Sequence, residues 1–424
     1  MSDLRLPDAI AHTLVTPADY ATDALHDAYR WMRAKNPLGI AEVEGFDPFW
    51  VVTKHADILE ISRNNALFPS AVRATTLTSK AGDARARAIT GTPHLVRSLV
   101  QMDEPDHMKY RLLTQAWFMP ASIKKREEAI RALAKQAVEA FVAMPGACDY
   151  VKDVALHYPL RVVMNILGVP EEDFPRMLRL TQELFGSTDP DVKRFQDALS
   201  DEQFAQLLIA VVQDFSTYFE AISADRRANP RDDMATLIAN AQIDGQPMPP
   251  FEATGYHTIV ATAGHDTTSS STAAAMWALA TVPGLLDRVR ADPSLIPALI
   301  EEAIRWATPV KTFMRSASAD TELRGRKIKE GDWLMLCYAS GNRDEEVFER
   351  PDTFDIDRKP NRQIAFGNGA HLCLGQHLAR LEMRILYEEL LPRLRSVRLT
   401  GEPRMVESFF VNGLKSLPIA FELN

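Results

Sequence analysis

The sequence predicts a mainly α-helical fold with small β-sheets, formed by one domain over residues 1–424. Long stretches repeat apolar residues with the period of a helix, and the longest apolar run covers 251–282. Shorter runs rich in β-branched and aromatic residues have the composition of strands. The chain contains no internal repeat, low-complexity tract or Gly/Ser-rich linker that would divide it.

The first hundred residues alternate helix and strand before an irregular segment. Helical periodicity covers about 20–35 and 54–63, and the run PFWVVT at 48–53 between them predicts a strand. Residues 68–102 carry scattered apolar residues, several arginines and two prolines, which predict a long irregular loop. Helical patterning resumes at Pro105, a residue suited to a first helical turn.

The rest of the chain is predicted to be helical up to about 306 and mixed beyond it. At 1.5 Å per residue, 251–282 would form a helix about 45 Å long, and it must cross the core because it is apolar on most sides. Strands and turns are predicted over 308–365, with the clearest strand at 333–338, and short strands over 395–424. The remaining helices are predicted at about 122–143, 154–167, 171–187, 200–227, 293–306 and 376–393.

Composition excludes several classes of function. The net charge of −9 argues against a general nucleic-acid binder, which would be basic. The three cysteines lie far apart with no zinc-site spacing, which fits a reducing cytosol. The N-terminus has no apolar signal sequence, and no stretch of about 18 residues is both apolar and uncharged. We therefore expect a cytoplasmic protein without a membrane span.

The run FGNGAHLCLG at 366–375 places one cysteine in a glycine-rich bend before an amphipathic segment. Gly367 and Gly369 are free to take positive φ in such a bend, and Gly375 lets the chain pass close to a flat partner. Backbone N–H groups in a loop of this kind can point at the Cys373 sulfur, which stabilises a thiolate and tunes a metal bound to it. The alternative is that Cys373 is a small buried hydrophobic residue.

The run AGHDTT at 263–268 lies in the middle of the longest apolar segment. Burying its acidic and hydroxyl groups costs free energy unless they bind something. The small residues Ala263 and Gly264 would let a flat ligand approach the backbone, and the Thr267 hydroxyl could interrupt the helical hydrogen bonds and open a groove. The alternative is a polar kink in a core helix, with Asp266 ion-paired elsewhere. We assign no chemistry to His265.

Both motifs resemble those of the cytochrome P450 monooxygenases. The loop matches the family's haem-binding pattern (Phe, two residues, Gly, three residues, Cys, one residue, Gly), and AGHDTT matches its AGxDTT signature. The similarity runs from about residue 20 to the C-terminus, and it is close to the soluble bacterial subgroup that includes a terpineol-hydroxylating member. The resemblance implies the P450 fold, with haem between a long central helix and the cysteine loop.

The resemblance also implies roles for the motif residues. The iron of haem b would be bound by the Cys373 thiolate, which donates electron density and favours O–O cleavage. Thr267 would hydrogen-bond dioxygen, and Asp266 would relay protons from solvent. The other residues that the motifs place around the haem are Ala263, Gly264, Phe366, Gly367 and Gly375.

Two further sets of residues match the family's pattern. Haem carries two propionates, which need cationic partners, and the positions that hold them correspond here to His107, Arg111, Arg315 and His371.

The second set is a structural ion pair. Glu302 and Arg305, in EAIR at 302–305, are three apart on one helical face and can pair. In the family this pair is joined by a downstream arginine and stabilises the structure around the thiolate loop. Here the third member is Arg358 or Arg362.

The substrate pocket is also inferred by matching positions to the family. Most of the matched residues are apolar, which suits a small hydrophobic substrate held by shape. The alternative for each of them is plain core packing. The resemblance favours monoterpenoids or alkyl-substituted aromatics, hydroxylated at a C–H bond. The pocket residues are Ile259, Thr262, Val310, Thr312, Phe313, Phe410 and Val411.

Electrons are expected from a separate protein, because no flavin or nicotinamide fingerprint is present. Similar bacterial enzymes use an iron–sulfur ferredoxin with its own reductase, which would dock near Cys373 on a monomer. Lys109, Arg358, Arg362 and Arg380 are candidate basic contacts or ordinary surface charges.

The sequence also allows other functions. The same chemistry could act on polycyclic aromatic or steroid-like substrates. A peroxide-driven or isomerising haem-thiolate protein typically replaces the acid–alcohol pair, which corresponds here to Asp266 and Thr267 and is intact. A non-catalytic haem sensor or carrier of hydrophobic ligands would need neither a proton relay nor a reductant.

Overall fold

A computed structural model describes residues 4–191 and 201–424. Helices predominate. The α-helices are α1 Asp8–Val15, α2 Ala24–Lys35, α3 His55–Arg63, α4 Lys80–Thr90, α5 Asp106–Phe118, α6 Pro120–Lys124, α7 Glu127–Val142, α8 His157–Leu167, α9 Phe174–Phe185, α10 Asp201–Ala228, α11 Met234–Ala239, α12 Pro250–Ala263, α13 Asp266–Thr281, α14 Leu285–Ala291, α15 Ile296–Ala307, α16 Tyr338–Gly341 and α17 Gln376–Leu390.

The strands are short and form small sheets. They are β1 Leu38–Ala41, β2 Phe49–Val52, β3 Ala147–Asp149, β4 Gln242–Ile243, β5 Gln246–Pro247, β6 Thr312–Ser316, β7 Thr321–Leu323, β8 Arg326–Ile328, β9 Trp333–Cys337, β10 Leu394–Leu399, β11 Arg404–Met405, β12 Leu414–Ser416 and β13 Pro418–Leu423.

The largest sheet has four strands in the order β1-β2-β9-β6. Its central strands have the sequences FWVV and WLMLC, whose aromatic, β-branched and other apolar side chains are buried throughout. β2 and β9 are parallel, with Val51 opposite Met335, and β6 is antiparallel to β9, with Arg315 opposite Leu334. Pairing with β9 therefore fixes the register and direction of β6, which carries the predicted site residues Thr312, Phe313 and Arg315.

The main core is helical. α13 packs against α15 and α8, and α17 packs against α7 and α15. Buried apolar side chains such as Met164, Ala275, Ile300 and Leu386 fill the space between these helices. Two smaller apolar clusters lie around the four-stranded sheet. The predicted fold class, mainly helical with small sheets, is confirmed.

Two predicted elements are wrong in detail. The segment 68–102 is not irregular throughout, because it contains α4. Ser79 caps the start of α4 by accepting a hydrogen bond from the Gly82 N–H, and Gly91 ends it with a φ of 73°. Only Ala86 of this helix is buried, so the sequence carries no apolar stripe that would reveal it.

The second correction concerns the single long helix predicted over 251–282. It is divided into α12 and α13, and the regular α-helix is interrupted at Gly264 and His265, although both residues keep right-handed backbone angles. The His265 N–H donates at 3.3 Å to the carbonyl of Thr262, three residues earlier, whereas an α-helical N–H donates to the carbonyl four residues earlier. The Thr267 hydroxyl donates to the Ala263 carbonyl at 2.7 Å, as its predicted interruption of the helical ladder requires.

One helix passes a simple test for a membrane span. Residues Gln206–Ala228 of α10 are long enough and apolar enough by length and composition alone. Such composition is also typical of core helices, and Val211, Phe215 and Phe219 of this segment are buried. The predicted helix 200–227 corresponds to α10, and its first residue lies outside the described residues.

Candidate active site

A cavity of about 730 Å³ lies between the α12–α13 break and the loop at 366–375. Both sequence motifs contribute to its wall, although they are about a hundred residues apart in the chain. The predicted residues that line it are His107, Arg111, Ile259, Thr262, Ala263, Gly264, Thr267, Val310, Phe313, Arg315, Phe366, Gly367, His371, Cys373, Gly375, Phe410 and Val411.

The cysteine loop is held by its own backbone. The Gly367 N–H donates to the Ile364 carbonyl and the Cys373 N–H donates to the Phe366 carbonyl, both at 2.9 Å. Gly367 has a φ of 72°, which a residue with a side chain rarely adopts. Gly369 has the same φ, and a Cβ there would lie 2.0 Å from the Ser62 carbonyl oxygen. The predicted tight bend is therefore present.

Several groups act on the Cys373 thiol, which is accessible from the cavity. Burial within the surrounding protein raises the pKa of the Cys373 thiol. Hydrogen bonds from the backbone N–H groups of Gly375 and Gln376 and the positive charges of Arg111 and Arg380 lower it. The sequence prediction that N–H groups point at this sulfur agrees with this arrangement.

The other cysteines lack such surroundings. Cys337 is fully buried, and burial raises the pKa of its thiol to about 12. Burial also raises the pKa of Cys148 to about 12, and the nearby carboxylates of Asp153 and Asp149 add to the effect. Neither thiol lines the cavity, so Cys373 is the cysteine placed to bind a metal there.

Four basic side chains gather at one side of the cavity. The rings of His107 and His371 pack together with their centroids 4.3 Å apart. Among the described residues, neither ring nitrogen of His107 has a hydrogen-bond partner although the side chain is buried. Burial, His371 and Arg111 lower the pKa of His107 to about 4. Buried polar atoms of this kind normally have partners, so they indicate a ligand.

The two arginines point to the same conclusion. Within the described residues, neither Arg111 nor Arg315 forms an ion pair. Arg111 donates a hydrogen bond to the Leu372 carbonyl, and Arg315 donates one to the Met314 carbonyl. Burial lowers the pKa of both guanidinium groups. Buried cations without counter-ions are costly, and an anionic ligand would compensate them.

A haem fits this set of groups. Its propionates are the anions that the unpaired basic groups lack, and its iron would take the Cys373 thiolate as ligand. Gly375 lines the cavity, and a Cβ added there would meet no heavy atom within 4 Å in the described chain. His371 differs from the other basic residues because Ser70 and Asp103 lie 3.3 Å and 3.9 Å from its Nε2 atom.

Gly264 has a different role from the one expected. A Cβ at this position would lie 2.8 Å from the Val163 Cγ2 atom of α8. The glycine is therefore needed for close packing of the helix break against α8, although it also lines the cavity. Ala263 and Thr267 line the cavity as well, and the Thr267 hydroxyl is exposed to it.

Asp266 is not among the described residues that line the cavity. Its Oδ1 atom lies 3.5 Å from the His265 Nδ1 atom. Its Oδ2 atom is buried and has no hydrogen-bond partner among the described residues. The acid–alcohol pair is thus split, with the alcohol at the cavity and the acid behind it.

The substrate-pocket predictions separate into two groups. Ile259, Thr262, Val310, Phe313, Phe410 and Val411 line the cavity. Thr312 is the exception among the described residues, because its hydroxyl turns away and donates to the Phe409 carbonyl at 2.9 Å. It shapes the segment that carries Phe410 and does not offer a polar contact to the cavity.

Glu302 and Arg305 form a fully buried pair. Two guanidinium nitrogens of Arg305 donate to the Glu302 carboxylate at 2.8 Å and 2.6 Å. The third member is Arg358, whose Nε lies 3.3 Å from both carboxylate oxygens. Arg305 also donates to the carbonyls of Asn342, Pro351 and Thr353, which ties the helix to the segment preceding the cysteine loop.

Three of the four predicted docking residues are occupied by other contacts. Arg358 is buried in the Glu302 network and is not a surface contact. Lys109 pairs with Asp244, and Arg380 pairs with Glu301 while its guanidinium lies over the Phe366 ring. Arg362 remains exposed, and its carbonyl lies 2.9 Å from the His55 ring.

Sequence reasoning missed two polar residues of the site. Glu382 of α17 lines the cavity, is buried beside Thr268, and its pKa is raised far above the usual range by burial. Thr181 of α9 has its hydroxyl 3.0 Å from the His265 Nδ1 atom. The spacing of Glu382 within an amphipathic helix indicates an inward-facing acid, whereas nothing local marks Thr181.

Comparisons with known proteins agree with this geometry. The sequence profile of the cytochrome P450 family matches residues 69–421. The chain is 48% identical over 419 residues to cytochrome P450-terp of a Pseudomonas species, covering 98% of each chain. It is 32% identical over 416 residues to linalool 8-monooxygenase of Pseudomonas putida, covering 96% of this chain and 98% of that one.

The structural comparison is equally extensive. The crystal structure of CYP108D1 from Novosphingobium aromaticivorans matches the fold with a TM-score of 0.91 at 45% identity, covering 99% of this chain and 100% of that one. Haem in this family is bound through an axial cysteine thiolate. The chain therefore belongs to the cytochrome P450 family and is a haem-dependent monooxygenase, an oxidoreductase that uses dioxygen.

Proposed function

We propose that this monooxygenase hydroxylates a small, mostly apolar substrate, a monoterpenoid or an alkyl-substituted aromatic. One oxygen atom of dioxygen enters a C–H bond, and the other leaves as water with two electrons and two protons consumed. The observation that carries the proposal is one continuous cavity of about 730 Å³ that reaches from Cys373 to Thr267 and to apolar side chains beyond. Such a volume is ordinary for a small-molecule site.

In this proposal Cys373 would provide the thiolate that binds the haem iron. When bound, haem supplies the iron that activates dioxygen, and a thiolate ligand favours O–O cleavage. The N–H groups of Gly375 and Gln376 support the thiolate by hydrogen bonds. His107, Arg111, Arg315 and His371 would hold the propionates, which would compensate the two arginines and the unpartnered ring nitrogens of His107.

In this proposal Asp266 and Thr267 deliver protons from solvent to the cavity. The Thr267 hydroxyl donates to the Ala263 carbonyl at 2.7 Å and is exposed to the cavity, so a small rotation redirects its proton. Asp266 lies outside the cavity wall, where a carboxylate can take protons from the solvent side and pass them to Thr267. This division supports a role for Thr267 as the proton donor at the cavity and for Asp266 as the group that resupplies its proton.

The substrate class follows from size and polarity. The cavity has to accommodate haem as well as substrate, so the space left beyond Thr267 suits a compact molecule. Val310, Phe313, Phe410 and Val411 provide apolar walls there, and Thr262 supplies a hydroxyl. The similarity to a linalool 8-monooxygenase supports a terpene alcohol, because one polar contact then orients a hydrocarbon skeleton.

Electrons come from an iron–sulfur ferredoxin with a separate reductase, acting on a monomer. The thiolate loop lines the cavity and leads directly into α17, so we propose that the ferredoxin docks at this loop. Among the residues proposed for docking, Arg362 offers an exposed positive charge near this loop. An acidic ferredoxin surface would complement it.

The test is a titration of the ferric protein with cyclic terpenes, terpene alcohols and isopropyl-aromatics, followed at the Soret band. We expect a low-spin to high-spin change for one scaffold and a hydroxylated product from that scaffold with a surrogate ferredoxin and reductase. If none of these compounds changes the spin state but steroids or polycyclic aromatics do, the proposed substrate class is wrong.

A second experiment separates the enzyme from a non-catalytic haem or ligand carrier. The T267A variant should consume electrons at a rate similar to wild type but release them as hydrogen peroxide, with little hydroxylated product. A carrier would show no product with the wild type and unchanged ligand affinity in the variant. Equal product per electron pair in T267A and wild type would refute the role of Thr267.

A further inference from the structure

The helix break contains a buried histidine whose surroundings fix its hydrogen bonds. The His265 side chain is completely buried between α8, α9 and α13. Its Nε2 atom lies 2.8 Å from the Leu156 carbonyl oxygen, which can only accept. The Nε2 atom must therefore carry a hydrogen, and the remaining question is the state of Nδ1.

Thr181 determines what Nδ1 does. The Thr181 hydroxyl lies 3.0 Å from Nδ1 and also 3.0 Å from the Leu178 carbonyl oxygen. A hydroxyl has one hydrogen. If Thr181 donates it to Leu178, the hydroxyl accepts from Nδ1, and His265 then carries a hydrogen on both nitrogens and a positive charge.

Asp266 supplies the reason for that charge. Its Oδ1 atom lies 3.5 Å from Nδ1, its Oδ2 atom is buried, and within the described chain Oδ2 has no hydrogen-bond partner. A mostly buried carboxylate is stabilised by a cation placed beside it. Among the charged side chains of the described residues, His265 is the partner that an ion-pair distance assigns to Asp266.

We propose that His265 is a positioning residue for the hydroxylation: its imidazolium pairs with the Asp266 carboxylate and holds it behind Thr267, ready to pass protons. Without that partner, Asp266 loses the contact that holds it in place, and proton delivery to the cavity slows. His265 itself does not line the cavity among the described residues, so it acts through Asp266 and not on substrate. This inference rests on the proposed proton-relay role of Asp266.

The experiment compares H265Q with a matched control in the same turn. Gln keeps a donor for the Leu156 carbonyl but carries no charge. The control is S269A, which removes the hydrogen bond from the Ser269 hydroxyl to the His265 carbonyl at 3.0 Å and leaves the imidazole untouched. We expect H265Q to lose about tenfold in dioxygen-dependent product formation, with an increased solvent deuterium isotope effect. S269A should stay within about twofold of wild type, since it changes no charge.

Two further variants separate the ways in which the inference can fail. D266N reports on the proposed relay itself: if it forms product at the wild-type rate and isotope effect, the relay is wrong. If D266N is slow but H265Q is not, only the role of His265 is wrong. The double variant H265Q/D266N should be no slower than D266N alone, because both changes remove one function.

Substrate binding distinguishes positioning from a merely structural role. H265Q should keep the wild-type spin change and substrate affinity, whereas a distorted helix break would alter both. T181V removes the hydroxyl that contacts Nδ1 and joins His265 to α9, but it leaves the imidazole its Asp266 partner, so it should keep the wild-type isotope effect. A loss equal to that of H265Q would mean that His265 only joins helices.

A measurement on the wild type covers the case in which H265Q does not fold. Nitrogen-15 spectra of the diamagnetic ferrous–carbon monoxide protein should show hydrogens on both nitrogens of His265 at neutral pH. A hydrogen-free Nδ1 would overturn the proposal.

Discussion

The buried Glu302 network allows a quantitative prediction. The Glu302 carboxylate accepts two hydrogen bonds from Arg305, contacts from the Arg358 Nε, and hydrogen bonds from the Asp355 N–H and the Asn361 amide. E302Q retains the shape but removes the negative charge that these groups share. Two guanidinium groups, both nearly or fully buried, are then left without it.

The expected cost follows from breaking a buried ion pair. Removing one partner costs about 3–5 kcal/mol because the other charge stays buried without compensation. Here two cations share one carboxylate, so we expect E302Q to lower the free energy of unfolding by at least about 3 kcal/mol. The adjacent Glu301 gives a matched control, because it pairs with Arg380 while both side chains remain about 30% exposed (29% and 32%). E301Q should cost less than about 1 kcal/mol.

The assay is urea unfolding of the ferric holoprotein, followed both by far-ultraviolet circular dichroism and by the Soret band. Bound cofactors often break two-state behaviour, so free energies are compared only where the two probes give coincident transitions with equal slopes. Because the network ties α15 to the segment before the cysteine loop, the Soret transition of E302Q should also move to lower urea. Costs for E302Q and E301Q that agree within about 1 kcal/mol would refute the reasoning.

Three further variants test other parts of the structure. G264A should lower the free energy of unfolding by about 1–3 kcal/mol, because the new Cβ would lie 2.8 Å from Val163 Cγ2, and the double variant G264A/V163A should recover part of that loss in the same urea assay. Burial lowers the pKa of His257 to about 4, so between about pH 4 and 6.5 the unfolded chain binds a proton at this histidine and the folded chain does not. The neutral histidine therefore makes the folded state's stability depend on pH. This stabilisation is complete above about pH 6.5 and is lost as pH falls towards 4, and H257F should flatten the dependence; an unchanged slope would contradict it. T312V should cost about 1 kcal/mol, since it removes the hydrogen bond to Phe409, and should leave terpene affinity within about twofold. A larger loss of affinity than of stability would mean that Thr312 contacts substrate after all.

The sequence predicted the local elements of the site well, because their signals are short and physical. The bend at Gly367 and Gly369 requires positive φ, which only glycine adopts without cost, and the polar residues of AGHDTT interrupt an otherwise apolar helix. The strand at β9 and the pairing of Glu302 with Arg305 likewise follow from composition and helical spacing.

What the sequence could not supply depends on tertiary neighbours. The role of Gly264 is set by Val163, a hundred residues earlier, and no local pattern reveals that contact. The sequence predicts that the Thr312 hydroxyl faces the pocket, and only the structure shows that it donates to the Phe409 carbonyl instead. α4 escaped prediction because one buried residue is too few to produce an apolar stripe.

Two choices left open by the sequence also needed the fold. Arg358 and Arg362 are equally plausible third members by position, and only the structure places Arg358 against Glu302. The sequence assigns no chemistry to His265, because the neighbours that define its role, Leu156 and Thr181, come from two other segments. Long-range contacts of this kind decide polar roles in a buried site.

The central claim is that Cys373 is the thiolate that binds the haem iron. Iron-edge X-ray absorption of the ferric protein tests it directly, with the three cysteines compared one at a time. Wild type, C148S and C337S should each show one sulfur neighbour at iron, and C373S should show none. Retention of the sulfur neighbour in C373S, or its loss in a correctly folded C148S or C337S protein, would contradict this assignment.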